Sequence, residues 1–165
     1  MEAFKKRYQE VIDLLIASPS SYDHIYFDPP RGTPKCFRTY KDIATRNRIA
    51  LQEIPGKGSD LQKGWKRADI APVKGKICDL IIEEEFQPNM KRIIEYLPKI
   101  IKCKHLWVAN RSYTLCEPWL FILVTENADH IVSKAPKDTG TFEKLIICNR
   151  NEFKTRYEEC YLKRK

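Results

Sequence analysis

The chain lacks the marks of a membrane protein, a secreted protein or a zinc protein. None of its apolar runs approaches the roughly 20 residues that a membrane-spanning helix needs. Residues 1–15, MEAFKKRYQEVIDLL, have no apolar stretch followed by a small-residue cleavage site, as a signal peptide would. The six cysteines are scattered, without a CxxC pair or a Cys/His array at zinc-ligand spacing. We therefore expect an intracellular protein, cytoplasmic or in the host cytoplasm if viral, with no membrane partner.

The cysteines and the composition indicate one folded domain. Free cysteine behaves as a small hydrophobic residue, so we expect mostly buried thiols. One or two disulfides are the alternative if the source is a hyperthermophile. The 165 residues are 42% hydrophobic, with three Trp, eight Tyr and seven Phe, which is ample for a core. Because no repeat, low-complexity tract or linker interrupts the chain, we assign residues 1–165 to a single domain.

The net charge of +8 is concentrated in one segment. Residues 31–76 contain 12 Lys or Arg against four Asp or Glu, whereas the remaining residues carry 18 of each sign, 30 less 12 and 22 less 4. A basic segment in a neutral chain indicates a polyanionic partner, because each neutralised phosphate releases counterions. The alternative is an ordinary solvated basic surface. The candidate nucleic-acid-binding residues are Lys57, Lys63, Trp65, Lys66, Arg67, Lys74 and Lys76. Trp65 would stack on a base or else cover the edge of the core.

Hydrophobic periodicity predicts four helices. The spacing indicates helices over residues 2–16, 39–54 and 89–101, the last kinked or ended by Pro98, and a fourth from Asn151 onward. Prolines and glycines reduce residues 22–38 to a short strand or loop, within which Asp28-Pro29-Pro30-Arg31 is typical of a proline turn.

Short apolar runs predict the strands. Residues 67–73 and 77–86 flank Lys74-Gly75-Lys76 as a hairpin, and further strands are expected at 105–109, 119–124 and 145–148. Polar residues 110–113 and 149–151 follow two of these strands and would contact a nucleic-acid backbone or form ordinary turns. The order of elements predicts an α/β or α+β domain with a central mixed β-sheet flanked by helices.

The strand at 77–86, ICDLIIEEEF, is apolar and ends in three carboxylates. Alternation of side chains places Asp79, Glu83 and Glu85 on one face and Glu84 on the other. If Val73 faces Ile77, Asp69 faces position 81 and lies diagonally from Glu83. Asp69, Glu83 and Glu85 would then line one pocket, and hard oxygen ligands favour Mg²⁺ or Mn²⁺. The alternative is a strand end that runs into solvent.

This arrangement resembles the PD-(D/E)xK nuclease superfamily. Asp69, thirteen residues, the Glu83-Glu84-Glu85 run, an amphipathic helix and a strand follow one another as in that core, over roughly residues 40–110. Two departures are Ala68, where proline is usual, and Glu85, where lysine is usual, which gives an ExE variant. Glu85-Phe86-Gln87 would give an ExQ variant.

The resemblance implies a restriction-endonuclease-like fold with a nuclease core at about 40–150 and flanking terminal helices. It also implies a Mg²⁺-dependent or Mn²⁺-dependent endo- or exodeoxyribonuclease. Asp69, Glu83, Glu85 and Gln87 would be catalytic, and the first three would bind the metal. Cutting both strands would need a homodimer or sequential nicking. The rival hypotheses are a non-catalytic nucleic-acid-binding protein that uses the basic 31–76 region, and an assembly protein with an acidic partner.

Overall fold

The helices lie at both ends of the chain and between strands. The computed structural model of the chain describes residues 2–17, 22–28, 39–40, 43–55, 66–85, 90–126, 128–134 and 145–162. The α-helices in these ranges are α1 (Glu2–Ile16), α2 (Met90–Ile101), α3 (Ala128–Lys134) and α4 (Phe153–Cys160). The helices predicted at 2–16, at 89–101 and after Asn151 are confirmed, and Pro98 lies inside α2 without ending it. The short helix α3 was not predicted.

The strands of the described residues belong to one sheet. They are β1 (His24–Phe27), β2 (Thr39–Tyr40), β3 (Ala44–Arg46), β4 (Ile49–Gln52), β5 (Lys66–Ala68), β6 (Ile70–Val73), β7 (Ile77–Glu85), β8 (His105–Val108), β9 (Arg111–Thr125) and β10 (Leu145–Cys148). Their order is β2-β3-β1-β6-β7-β9-β8-β4-β5, and β10 pairs with β9. The ladder β1-β6-β7 is antiparallel, whereas β7, β9 and β10 run parallel. The predicted mixed sheet flanked by helices is confirmed.

The sheet curls upon itself at Asp69. β5 and β6 are separated in sequence by that residue alone, yet β5 pairs with β4 while β6 pairs with β1 and β7. The path from β6 through β7, β9, β8, β4 and β5 therefore returns to its start. The predicted strand at 67–73 is thus two strands that serve different parts of the sheet.

Both faces of the central strands are covered. On one face, α1 and α4 contribute Ile12, Leu15 and Tyr157 to a core that includes Ile82 and Ile122. On the other face, Ile93 and Leu97 of α2 pack with Ile81 and Phe121. Residues 119–125 are buried throughout, which explains why this part of β9 is continuously apolar instead of alternating.

The helix predicted at 39–54 is wrong. This region forms β2, β3 and β4, and all four residues of β4, IALQ, are buried. Ile43, Ala50, Leu51 and Ile54 fit a helical spacing, but a short apolar run cannot be assigned by periodicity alone. In the folded chain β4 lies between β5 and β8, so pairing with distant strands decided its structure.

The β6–β7 hairpin is confirmed, but its register differs from the prediction. Lys74 and Ile77 exchange two backbone hydrogen bonds of 3.0 and 3.1 Å, so the turn contains Gly75 and Lys76 only. Gly75 has φ +59°, which glycine adopts without strain. Further along, Ile70 pairs with Ile82. In a regular hairpin closed by Lys74 and Ile77, Ile70 would face Ile81. Because it faces Ile82 instead, β7 contains one extra residue, which is a β-bulge.

The bulge changes the side on which Asp79 lies. Cys78 belongs to the core under α2, whereas Leu80 belongs to the core under α1 and α4, and the pairing with β9 shifts between these two residues. Tyr161 after α4 donates a 2.6 Å hydrogen bond to Asp79 Oδ1. The predicted placement of Asp79 on the face of Glu83 is therefore wrong. The register prediction assumed an unbroken alternation, which the bulge interrupts.

A further finding concerns the cysteines. The five cysteines in the described ranges are free, with Cys78, Cys103 and Cys148 buried, while Cys36 lies outside those ranges. Burial raises the pKa of the Cys78 thiol to about 12.

In the part of the chain that the structure describes, no helix combines the length and apolarity needed to cross a membrane.

Candidate functional site

Asp69 lies at the closure of the sheet and is held there by three hydrogen bonds. Its backbone N–H donates to Ile82 O at 3.2 Å, and its carbonyl accepts from the Asp28 N–H at 2.7 Å. Its carboxylate oxygen Oδ2 accepts from the Glu84 N–H at 2.7 Å. The side chain thus replaces a main-chain acceptor at the point where the β6–β7 ladder ends. Asp69 fixes the end of β7 relative to β6.

Three acidic residues occupy one row across neighbouring strands. Phe27 pairs with Ile70, and Ile70 pairs with Ile82. One step further along each strand come Asp28, Asp69 and Glu83. The Asp28 N–H lies 2.7 Å from the Asp69 carbonyl oxygen, and the Asp69 N–H lies 3.2 Å from that of Ile82, so the three backbones adjoin one another. We call Asp28, Asp69 and Glu83 the acidic row.

Glu83 and Glu84 lie on opposite faces of β7. Glu83 follows the parity of Ile81, on the α2 side, and Glu84 follows that of Ile82. Glu84 lines a cavity of about 620 Å³ between α1 and α4, together with Asp13 and Arg150. One carboxylate oxygen of Glu83 and one of Glu84 are buried. Only Glu83 belongs to the acidic row.

Three arginines surround the acidic row. Burial raises the pKa of the Asp28 carboxyl above its usual value, and the positive charge of Arg67 is the largest effect that opposes the rise. A hydrogen bond from the Ile49 backbone and the charges of Arg48 and Arg46 also oppose it. Arg67 is exposed in the middle of β5. The row is therefore accompanied by cations that could either neutralise it or hold a phosphate.

The other predicted nucleic-acid-binding residues are not gathered at this place. Lys74 and Lys76 are exposed at the hairpin turn, and Lys76 is about 23 Å from Glu83 along β7 at 3.3 Å per residue. The backbone of Lys66 lies in β5. Three further predicted residues, Lys57, Lys63 and Trp65, fall outside the described residues. Of the predicted basic residues whose side chains are described, Arg67 alone adjoins the acidic row.

Two predicted catalytic residues cannot be placed by their side chains. The backbone of Glu85 ends β7 and pairs with Thr125, but its side chain is outside the described part. Gln87 is wholly outside it. Within the described residues, no three His, Cys, Asp or Glu side chains form a group able to hold a metal ion. The carboxylates of Asp69 and Glu83 are nevertheless the hard oxygen donors that Mg²⁺ and Mn²⁺ prefer.

Sequence reasoning missed Asp28, Arg46 and Arg48. Asp28 was interpreted only as the start of a proline turn, although an acid directly after an apolar strand is a recognisable signal. The two arginines were assigned to the helix that does not form. Both errors have the same origin, because β1 pairs with β3 and β6, and β4 pairs with β5, between residues distant in sequence.

Comparisons with family models, with curated proteins and with solved structures found no match for this chain.

Proposed function

We propose that the chain is a metal-dependent nuclease with a restriction-endonuclease-like core, which hydrolyses phosphodiester bonds of DNA. The observation that carries this proposal is the adjacency of Asp69 and Glu83. Asp69 donates to Ile82 O, the residue before Glu83, and accepts from the residue after it. The amphipathic helix α2 and the strand β8 follow, in the order that the sequence resemblance implies.

The acidic row and its arginines suit phosphodiester chemistry. Mg²⁺ or Mn²⁺ held by Asp69, Glu83 and Glu85 would polarise the phosphoryl oxygen and lower the pKa of a bound water. Arg67, Arg46 and Arg48 would hold the flanking phosphates by charge-assisted hydrogen bonds. Glu85 or Gln87 would orient the attacking water, the task for which lysine serves in the usual motif. Asp28, with its raised pKa, joins the proposed site as an additional carboxyl group.

The test is cleavage by the purified chain. Supercoiled plasmid, linear duplex, single-stranded DNA and RNA are each incubated with Mg²⁺, with Mn²⁺ and with EDTA. We expect metal-dependent cleavage of DNA that Glu83→Ala and Glu85→Ala abolish. DNA binding by these variants should be unchanged or tighter, because a charge that repels phosphate is removed. Glu95→Gln, at an exposed position on α2, is the matched control. Absence of cleavage of every substrate with either metal would refute the enzyme proposal.

The second candidate is a nucleic-acid-binding protein without activity. Arg46, Arg48 and Arg67 near one end of the sheet, with Lys74 and Lys76 at the other, would contact a polyanion over a long surface. A gel shift that weakens with salt, without any cleavage, would favour this candidate. An intracellular location and a dimer for double-strand cutting stay predictions, the second being testable by light scattering with and without DNA.

A further inference from the structure

A polar cavity lies beside β1, and its lining extends from the β6–β7 turn to Asn47, whose N–H donates to Phe27 O. Its volume is about 460 Å³, which falls in the range of small-molecule sites. The cavity lies where β1 begins, beside the β6–β7 turn and the β8–β9 turn. Its lining includes His24, Thr45, Asn47, Arg111 and Tyr113. His24 is four residues from Asp28 along β1, about 13 Å at 3.3 Å per residue.

Arg111 supplies a permanent positive charge to this cavity. It follows a two-residue turn in which Ala109 and Asn110 both have positive φ, +50° and +58°. Its charge contributes to lowering the pKa of His24, after the larger effect of burial. Burial is the largest effect on Tyr26 and raises its pKa to about 12, and the charge of Arg111 opposes that rise. The guanidinium is therefore close to both side chains, and His24 is neutral at pH 7.

The polar groups around Arg111 are held in place by hydrogen bonds. The hydroxyls of Tyr26 and Tyr113 lie 3.0 Å apart, and both side chains are buried, with 5% of each exposed. Nε2 of His24 lies 2.6 Å from Thr45 Oγ1, which also accepts from Asn47 Nδ2 at 3.3 Å. Such groups are oriented before a ligand arrives, which lowers the entropic cost of binding.

Asp23 also lines the cavity and carries a negative charge. Its carboxylate accepts a hydrogen bond from the Gly75 N–H in the β6–β7 turn. Lys74 and Lys76, on either side of that glycine, are exposed and add positive charge to the same edge. The balance of charge favours an anionic ligand. Because a guanidinium presents parallel donors that match a phosphate, phosphate is the anion best suited to Arg111.

We propose that this Arg111 cavity binds a phosphate group carried by a free nucleotide or by a nucleic-acid strand, independently of the acidic row. The neutral hydroxyl and imidazole groups of the lining provide hydrogen bonds that orient the ligand. The site needs no metal and takes no part in bond cleavage.

The experiment measures binding in EDTA, so that its outcome does not depend on nuclease activity. Adenosine monophosphate and inorganic phosphate are titrated by calorimetry, and a fluorescent oligothymidylate is titrated by anisotropy. The variants are Arg111→Gln, Arg111→Lys and Tyr113→Phe, with Lys102→Gln at an exposed position as the charge-matched control. The melting temperature of each variant is recorded to verify folding. The exposure of Arg111 makes unfolding by its substitution unexpected.

We expect Arg111→Gln to weaken binding at least tenfold and Arg111→Lys to weaken it less, while Lys102→Gln changes it under twofold. Tyr113→Phe should weaken binding without a change in salt dependence, because it removes a hydroxyl and no charge. Saturation by adenosine monophosphate would identify a free nucleotide as a ligand. Binding of the oligonucleotide alone would identify a strand phosphate. If none of the three probes binds, or if Arg111→Gln binds as the wild type does, the proposal is wrong.

Discussion

Replacing Asp69 by Ala or by Asn separates its structural role from its proposed catalytic role. Its Oδ2 accepts a 2.7 Å hydrogen bond from the Glu84 N–H, and a hydrogen bond to a charged group is worth about 1.5–3 kcal/mol. Asp69→Ala removes the acceptor and leaves that amide unsatisfied, at a cost of about 2 kcal/mol. Asp69→Asn retains a carbonyl oxygen at the same distance and loses only the charge, at about 1 kcal/mol.

Thermal unfolding followed by circular dichroism measures the difference. A change of 1 kcal/mol corresponds to about 2–4 °C for a chain of this size, so Asp69→Ala should melt at least 2 °C below Asp69→Asn. Both variants should lose metal-dependent cleavage, because neither offers an anionic oxygen to the cation. Glu158→Gln, an exposed change on α4, should alter neither property. If Asp69→Asn cleaves DNA at the wild-type rate, Asp69 is not a metal ligand. If the two variants melt together, the bond to Glu84 does not hold β7.

Three further changes test the packing and the electrostatics. Tyr161→Phe removes the hydroxyl that donates to Asp79 at 2.6 Å. Urea unfolding should show that the free energy of unfolding falls by about 2 kcal/mol. A loss below about 0.5 kcal/mol would show that this hydrogen bond does not hold the β7 bulge. Phe121→Ala in the core should lower the free energy of unfolding by about 3–5 kcal/mol. Ile54→Ala, at a position that is 79% exposed, should change it by no more than about 0.5 kcal/mol in the same assay. Equal losses would show that the assignment of the core is wrong. Asp28→Asn should raise the melting temperature at pH 7. Because the pKa of Asp28 is raised in the folded state, that state binds more protons than the unfolded state. Its stability therefore falls as pH rises through the folded-state pKa, and the Asn variant avoids this loss. That advantage should vanish as pH falls below the usual value of 3.8, and an advantage independent of pH would contradict the burial of this carboxyl.

Local signals were sufficient for much of the fold. The amphipathic spacing of α1 and α2 predicted both helices, since one face of each is covered by the sheet. The glycine of the 74–76 turn predicted the hairpin, because its backbone there requires positive φ. The apolar runs of β8, of the end of β9 and of β10 predicted strands. Residues 119–125 are buried throughout, whereas β8 and β10 alternate between half-buried and buried residues.

Pairing between distant residues decided the rest. The region 39–54 has a helical spacing of apolar residues, but β3 pairs with β1, and β4 pairs with β5 and β8. The bulge in β7 depends on contacts with β9 and with Tyr161, neither of which is local. The periodicity of one segment does not predict these ladders or the bulge, because the stability of a strand depends on the neighbouring strands with which it pairs.

The sequence by itself determined that Glu83 and Glu84 lie on opposite faces of one strand and that Asp69 lies next to the strand paired with it. These statements follow from the two-residue period of a strand and from a turn marked by glycine. Only the tertiary structure decided that Asp28 lies beside Asp69 and that the charges of three arginines act on Asp28. This proximity arises from the curling of the sheet at Asp69, where β5 and β6 pair with strands that are far apart along the chain.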